Sequence, residues 1–282
     1  MLLDKTAPFF MLDKTDKTDK TVQTKAGPCT LPIRYFSACN VMMFFAVDQD
    51  RARLLLPNRQ FEPLPNEQGK ALALVGFWDY FDTSIGPYNE STISLMVTYP
   101  GFDLPGCYVC SLPVSTEIAC EAGLEIFRYP KFVADSRVVL EGQQVDLSVV
   151  LQDGTTALSV TGTRGDSFYS PPMAINTYAE YVEAADIGPV VQEHGMATVR
   201  SRSGKNGSIG VSHTTVNAAP TVVYCVSSGA DLVLRAGNSD HFMKQQVQTL
   251  GLDGKSPISI FVSRNFQSVL GVTYEGANKA VR

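Results

Sequence analysis

The chain has 282 residues, 44% hydrophobic and 18% charged, with a net charge of −5 at pH 7. That length holds one large domain or two small ones, and the acidic balance excludes the basic footprint of a nucleic-acid binder. The longest apolar run, Val41 to Val47, is far short of the roughly 20 residues that a membrane helix needs. The start, Met1-Leu2-Leu3-Asp4-Lys5, shows no basic region followed by a long apolar core, so a cytoplasmic protein is expected.

Residues 1–27 read as a flexible tail. Asp-Lys-Thr recurs at 4–6, 13–15, 16–18 and 19–21, and this alternating-charge run has no apolar face to bury. Phe9, Phe10 and Met11 interrupt it and can pin it to the body or to a partner subunit. Tyr35 to Val47 is an apolar, aromatic stretch that predicts a core strand. Asp48 can cap a short helix, Gln49 to Leu56, ended by Pro57. Ala71 to Tyr80 and Thr92 to Tyr99 predict two further strands, joined by a polar turn that carries Asp82, Thr83, Ser84, Gly86, Tyr88, Glu90 and Ser91. Ser115 to Gly123 predicts a short helix with Gly123 as its stop. The clearest hairpin follows. Val145, Leu147, Val149 and Leu151 alternate strictly, Asp153-Gly154 turns, and Leu158 and Val160 continue on the return strand. Asn176 to Ala185 looks helical, Val190 to Gly210 is polar and Gly-rich, and strands are expected at Thr221 to Cys225 and Asp231 to Arg235. Ser239 can cap a helix with Phe242, Met243, Val247 and Leu250 on one face and Gly251 after it, and strands at Ile258 to Val262 and Val269 to Tyr274 close the chain. Many short strands without a strand–helix rhythm predict an antiparallel barrel or sandwich.

Several tempting motifs dissolve on inspection. The six cysteines include Cys107 and Cys110 at C-x-x-C spacing, but no second pair and no nearby histidine accompany them, so buried thiols are expected and no metal site. His194, His213 and His241 have no ligand or triad spacing. Gly251 to Ser256 resembles the end of a phosphate loop, yet position 249 is Thr and the helix precedes it, so a helix stop and turn explain it. Arg200, Arg202 and Lys205 read as a solvated basic loop.

Lys131 is different. It stands among Phe127, Tyr129, Pro130, Phe132 and Val133, whereas lysines are almost never fully buried. Pro130 cannot donate to a ladder, which suggests an edge, a bulge or a strand start. In an extended segment Tyr129, Lys131 and Val133 share one face, and Phe132 and Ala134 the other. An apolar face disfavours the ammonium, and a neutral lysine can form a Schiff base with a ketone. A strand whose lysine reaches out to water is the plain alternative.

Two segments together carry a family resemblance. Tyr129-Pro130-Lys131, with Gly123 and Glu125 upstream, resembles the active-site segment of acetoacetate decarboxylases. Gly86, Tyr88, Glu90 and Ser91, preceded by Asp82-Thr83-Ser84, resemble the family's other active-site segment at fitting distance. The likeness covers roughly residues 35–270. It implies a mainly β fold, a closed, mostly antiparallel β-barrel with a few short helices, as a single domain over residues 28–282. It implies Lys131 as the Schiff-base lysine and Glu90 as the active-site carboxylate, with Tyr88, Arg128 and Tyr129 beside the substrate. It further implies a homo-oligomer acting on a small oxo acid, with no cofactor, nucleic acid or membrane partner. The expected reaction is decarboxylation of a β-keto acid. Imine-based aldol or dehydration chemistry on another oxo acid, and a small-ligand barrel without turnover, are the alternatives.

Three positions depart from the family. The residue after the lysine is Phe132, where the best-known decarboxylases have a second lysine. The family's early arginine falls near Ala38 or Cys39, and a further glutamate near Val75. Arg34 and Arg128 are candidate replacements for the arginine.

Overall fold

In the computed structural model the described residues are 2–11, 19–100, 105–170, 175–183, 208–229, 231–270 and 274–276. A short 3₁₀ turn at Pro8–Met11 precedes β1 (Lys20–Thr24), β2 (Gly27–Leu31), β3 (Ile33–Val47), α1 (Gln49–Arg53) and β4 (Glu62–Pro63). Next come β5 (Ala71–Thr83), β6 (Tyr88–Thr98), β7 (Gly106–Val114), α2 (Glu117–Glu125), β8 (Lys131–Val133) and β9 (Asp135–Glu141). They are followed by β10 (Gln144–Val150), β11 (Thr156–Thr163), β12 (Ser167–Ser170), β13 (Ile175–Glu183) and β14 (Ser208–Ala218). The last elements are β15 (Tyr224–Ser227), β16 (Asp231–Ala236), α3 (Phe242–Leu250), β17 (Ser259–Leu270) and β18 (Tyr274–Gly276).

The largest sheet runs β12-β15-β17-β3-β5-β6-β7-β13-β14-β18, with β4 beside β6 and β8 beside β7. A second sheet has the order β16-β11-β10-β9, and β1 pairs only with β2. Pairing is antiparallel except where β7 meets β13 and β8. The strands form open sheets, not the closed barrel that the family likeness implied. β14 does touch β17, through Val216↔Leu270, Asn217↔Val269 and Ala218↔Ser268. Away from that short seam the strands part company: β17 turns to β15 and β14 to β18, so the sheet keeps edges at β12 and β18.

Strands β3, β5 and β6 bury both faces, because successive side chains point to opposite sides. On the outer face Met43, Phe45, Val75, Phe77, Ile93 and Leu95 pack with the second sheet and α3. The expected hairpin supplies that sheet: Val145, Leu147 and Val149 alternate inward, and Asp153 Oδ1 accepts from the Thr155 N–H at 2.9 Å across the turn. The inner face is richer in aromatics, with Tyr35, Trp78, Tyr80, Tyr88 and Tyr129 in one cluster.

Helix α1 is capped as expected by Asp48, whose carboxylate accepts from the Asp50 N–H, and α3 ends on Gly251 in the left-handed region. The side chain capping α3 is His241, not Ser239. Over residues 176–183 the expected helix is instead strand β13, which pairs with β14 along its whole length, and residues 184–185 lie outside the described residues. Ala179, Glu180 and Glu183 gave the helical look, while Ile175, Thr177, Tyr178, Tyr181 and Val182 are strand formers that a long partner can hold extended. The strand expected at Ile258 to Val262 and the start of the one expected at Val269 to Tyr274 fall on one strand, β17, with irregular register against β3, while residues 271–273 lie outside the described residues and Tyr274 begins β18. Of the polar stretch 190–210, residues 190–207, with Arg200, Arg202 and Lys205, lie outside the described residues.

Within the first 27 residues, Leu3 exchanges two backbone hydrogen bonds with the Gln267 amide, at 2.8 and 3.0 Å. Phe10 is fully buried, and its carbonyl accepts from Arg34 Nε at 2.7 Å. No helix among the described residues is long and apolar enough to cross a membrane.

Candidate active site

Strand β7 organises the site. β13 takes its far edge at Cys107 and Tyr108, and β8 takes the same edge at Leu112 to Val114. Lys131 is therefore the first residue of a short edge strand, directly after Pro130, as the missing proline N–H requires. On the other side of β7, Glu90 lies opposite Val114. The two side chains meet across β7: Lys131 Nζ donates to Glu90 Oε2 at 2.7 Å. Only 7% of the lysine side chain and 12% of the glutamate side chain are exposed.

The approach of the lysine depends on a glycine. The helix α2 runs through Gly123, whose carbonyl accepts from the Tyr129 N–H at 3.0 Å, while Arg128 turns the chain at φ 60°. A Cβ on Gly123 would overlap Lys131 Cδ and sit 2.6 Å from Cε and 2.8 Å from Cγ. Gly123 is thus a close-approach position inside the helix, which runs on to Glu125.

Three tyrosines enclose the ion pair. Tyr80 Oη donates to Glu90 Oε1 at 3.4 Å, Lys131 Nζ lies 5.6 Å from the Tyr88 ring centre, and Tyr88 Oη donates to Tyr35 Oη at 3.2 Å. The rings of Tyr35 and Tyr88 each pack on Tyr80, at 4.6 and 4.7 Å. Burial, followed by the Glu90 charge, pushes the phenols of Tyr35 and Tyr80 up; for Tyr88 burial, then Tyr35 and Glu90, do the same. All three stay protonated; Tyr80 and Tyr88 act as donors, and Tyr35 accepts.

A cavity of about 90 Å³ opens onto the pair. Leu74, Trp78, Leu112, Phe266 and Leu270 give it apolar walls, and Tyr35, Thr92, Ser94 and Ser268 add hydroxyls. It is smaller than the roughly 150 Å³ cavity that holds benzene, so it suits a ligand of a few heavy atoms. Trp78 reaches this wall by leaning over Gly76, where a Cβ would overlap the indole.

Of the residues expected at the site, Lys131, Glu90 and Tyr129 line the cavity. Tyr88 stands behind, with its ring facing the ammonium, and Arg128 does not line the cavity. Phe132 turns to the other side, its ring 4.7 Å from His241 and 5.2 Å from Phe242. Arg34 is held elsewhere, paired with Asp19 at 2.5 Å. Ala38 lies in the inner, cavity-side cluster, opposite Tyr80 and Phe266, while Val75 sits in the outer core. The cavity wall at that height is Leu74. Cys107 and Cys110 are buried thiols; burial alone raises Cys107 to about 12. Sequence reasoning missed Tyr35, Thr92, Ser94 and Ser268. Their positions on the inner face depend on strand register, for which the sequence holds no local signal.

The family model for acetoacetate decarboxylase (ADC) matches residues 21–176. No curated protein matches the sequence. Among similar solved structures, an acetoacetate decarboxylase is 16% identical, with 88% of this chain and 91% of that one covered and a TM-score of 0.60. Acetoacetate decarboxylase from Legionella pneumophila is 14% identical over 98% of this chain and 96% of that one, with a TM-score of 0.63. The enduracididine biosynthesis enzyme MppR is 18% identical over 88% and 89%, with a TM-score of 0.57. These identities speak for the fold alone. The family match spans more than half of the residues, and the chain belongs to the acetoacetate decarboxylase family.

Proposed function

We propose that this acetoacetate decarboxylase-like enzyme works through an imine at Lys131 and decarboxylates a small β-keto acid. The observation that carries this reading is the contact of Lys131 Nζ with Glu90 Oε2 at 2.7 Å inside an apolar cavity. The attacking amine must first lose a proton, and Glu90 stands within the reach required of a general base. Glu90 takes one proton, the amine adds to the ketone, and a second proton passes from nitrogen to oxygen. Glu90 then returns its proton to the hydroxyl, which leaves as water, and the iminium remains. The iminium draws in the electron pair of the bond to the carboxylate, CO2 departs, and an enamine forms. Protonation at carbon and hydrolysis by water release the ketone and restore the lysine. The lysine is the electron sink, so the residues present can carry every step.

A second reading is imine-based condensation or dehydration on another oxo acid. It is favoured by MppR, which shares the fold and has been crystallised with pyruvate and with the condensation product of pyruvate and imidazole 4-carboxaldehyde. Borohydride in the presence of acetoacetate or pyruvate is expected to add ligand mass to Lys131. Lys131→Arg is expected to abolish the adduct, because a guanidinium is not deprotonated in proteins. Adduct formation that survives this substitution would overturn the assignment. Release of CO2 separates the two reactions.

A further inference from the structure

Two hydroxyls in the cavity wall have no part in the chemistry above. Ser268 on β17 and Tyr35 on β3 are directly opposed in register, so their side chains leave the same face of the sheet, and both line the cavity. Ser268 is 1% exposed, and its Oγ makes no hydrogen bond among the described residues. A buried hydroxyl without a partner is rare in a folded protein and asks for a ligand or a water. Tyr35 is 5% exposed and accepts the Tyr88 proton, which leaves its own proton uncommitted.

The opposite hydroxyls behave differently. Thr92 Oγ1 gives its proton to the Ser111 carbonyl at 3.0 Å, so the 2.8 Å contact between Thr92 and Ser94 requires Ser94 to donate. Thr92 and Ser94 therefore turn lone pairs toward the cavity, whereas Tyr35 and Ser268 offer protons. Among the described lining residues Lys131 is the one cation, and it is engaged by Glu90.

We propose that Tyr35 and Ser268 form a neutral two-donor anchor for the carboxylate of the oxo acid. This deepens the imine reading and rests on it. A carboxylate accepts from both hydroxyls at once and is turned away from the lone pairs of Thr92 and Ser94. The ketone carbon is then left toward Lys131. Burial and the Glu90 charge keep Tyr35 in its donor form.

The test compares borohydride trapping of acetoacetate with that of acetone, which has the ketone and no carboxylate. Ser268→Ala and Tyr35→Phe are each expected to lower the ratio of the two trapping efficiencies by about tenfold to a hundredfold, the range for a hydrogen bond to a charged group. Binding of butyrate, which has the carboxylate and no ketone, is measured by calorimetry and is expected to weaken by a similar factor. Ser268→Ala is not expected to lower the melting temperature, since its hydroxyl makes no hydrogen bond among the described residues. Equal losses for acetoacetate and acetone, or butyrate binding that is absent or insensitive to both substitutions, would overturn the anchor. Butyrate binding that depends on Ser268, with no trapping of any ketone by the unaltered protein, would uphold the anchor and overturn the imine.

Discussion

Strand β5 presents two unlike surfaces within a few residues. Ala73, Val75 and Phe77 point into the core shared with the second sheet, where the packed side chains are overwhelmingly apolar. Leu74, Trp78 and Tyr80 point the other way, toward the cavity, the ion pair and the tyrosines. β6 repeats the division, with Ile93 and Leu95 on the outer side and Glu90, Thr92 and Ser94 on the inner. The outer face holds the strands in place through burial. The inner face uses that placement to keep charged and hydroxyl groups at fixed spacing. A substitution should therefore act on stability or on chemistry according to the face it touches.

The largest effect on chemistry after loss of the lysine is expected from Glu90→Gln. Loss of a general acid–base group lowers turnover by roughly 10²–10⁴-fold. Breaking a buried pair also costs about 3–5 kcal/mol of stability, so turnover is to be measured where circular dichroism shows the variant folded. Turnover that falls only in step with the folded fraction would erase the distinction between the faces. Gly123→Ala comes next. The added Cβ displaces the Lys131 stem, and a misplacement of about 1 Å at a reacting group costs on the order of 10²-fold in rate. Steady-state kinetics with a melting curve would check it, and unchanged kinetics would show that the helix shifts instead of the lysine. Leu147→Ala sharpens the contrast from the other side. It should lower stability by about 2–5 kcal/mol while leaving borohydride trapping per folded molecule nearly as before.

The two faces were unequally legible in the sequence. The Val145–Leu151 hairpin declared itself through strict alternation and Asp153-Gly154, because both signals are local. Lys131 and Glu90 were found through their neighbours and a family likeness, and their contact spans 41 residues that no local pattern describes. Gly123 looked like a helix stop, since a glycine near a helix end has that use; its closeness to the lysine stem appears only in three dimensions. Ser268 and Tyr35 were invisible for a stronger reason. Each looks ordinary in its own strand, and they meet only because β17 lies beside β3 with an irregular register. The parting of β14 from β17 beyond their short seam sets the open sheet apart from the closed barrel that the family likeness implied.

The place of β17 also bears on how the molecule is made. Glu90 and Lys131 leave the ribosome long before residues 259–270, which carry Phe266, Ser268 and Leu270 into the cavity wall. Until then β3 lacks its neighbour on that side, and a long bare strand edge invites pairing with other chains. Leu3 meanwhile waits for Gln267, 264 residues later. Without β17 the cavity lacks the wall made by Phe266, Ser268 and Leu270. Protection by a chaperone at that stage would guard both solubility and the still unwalled cavity.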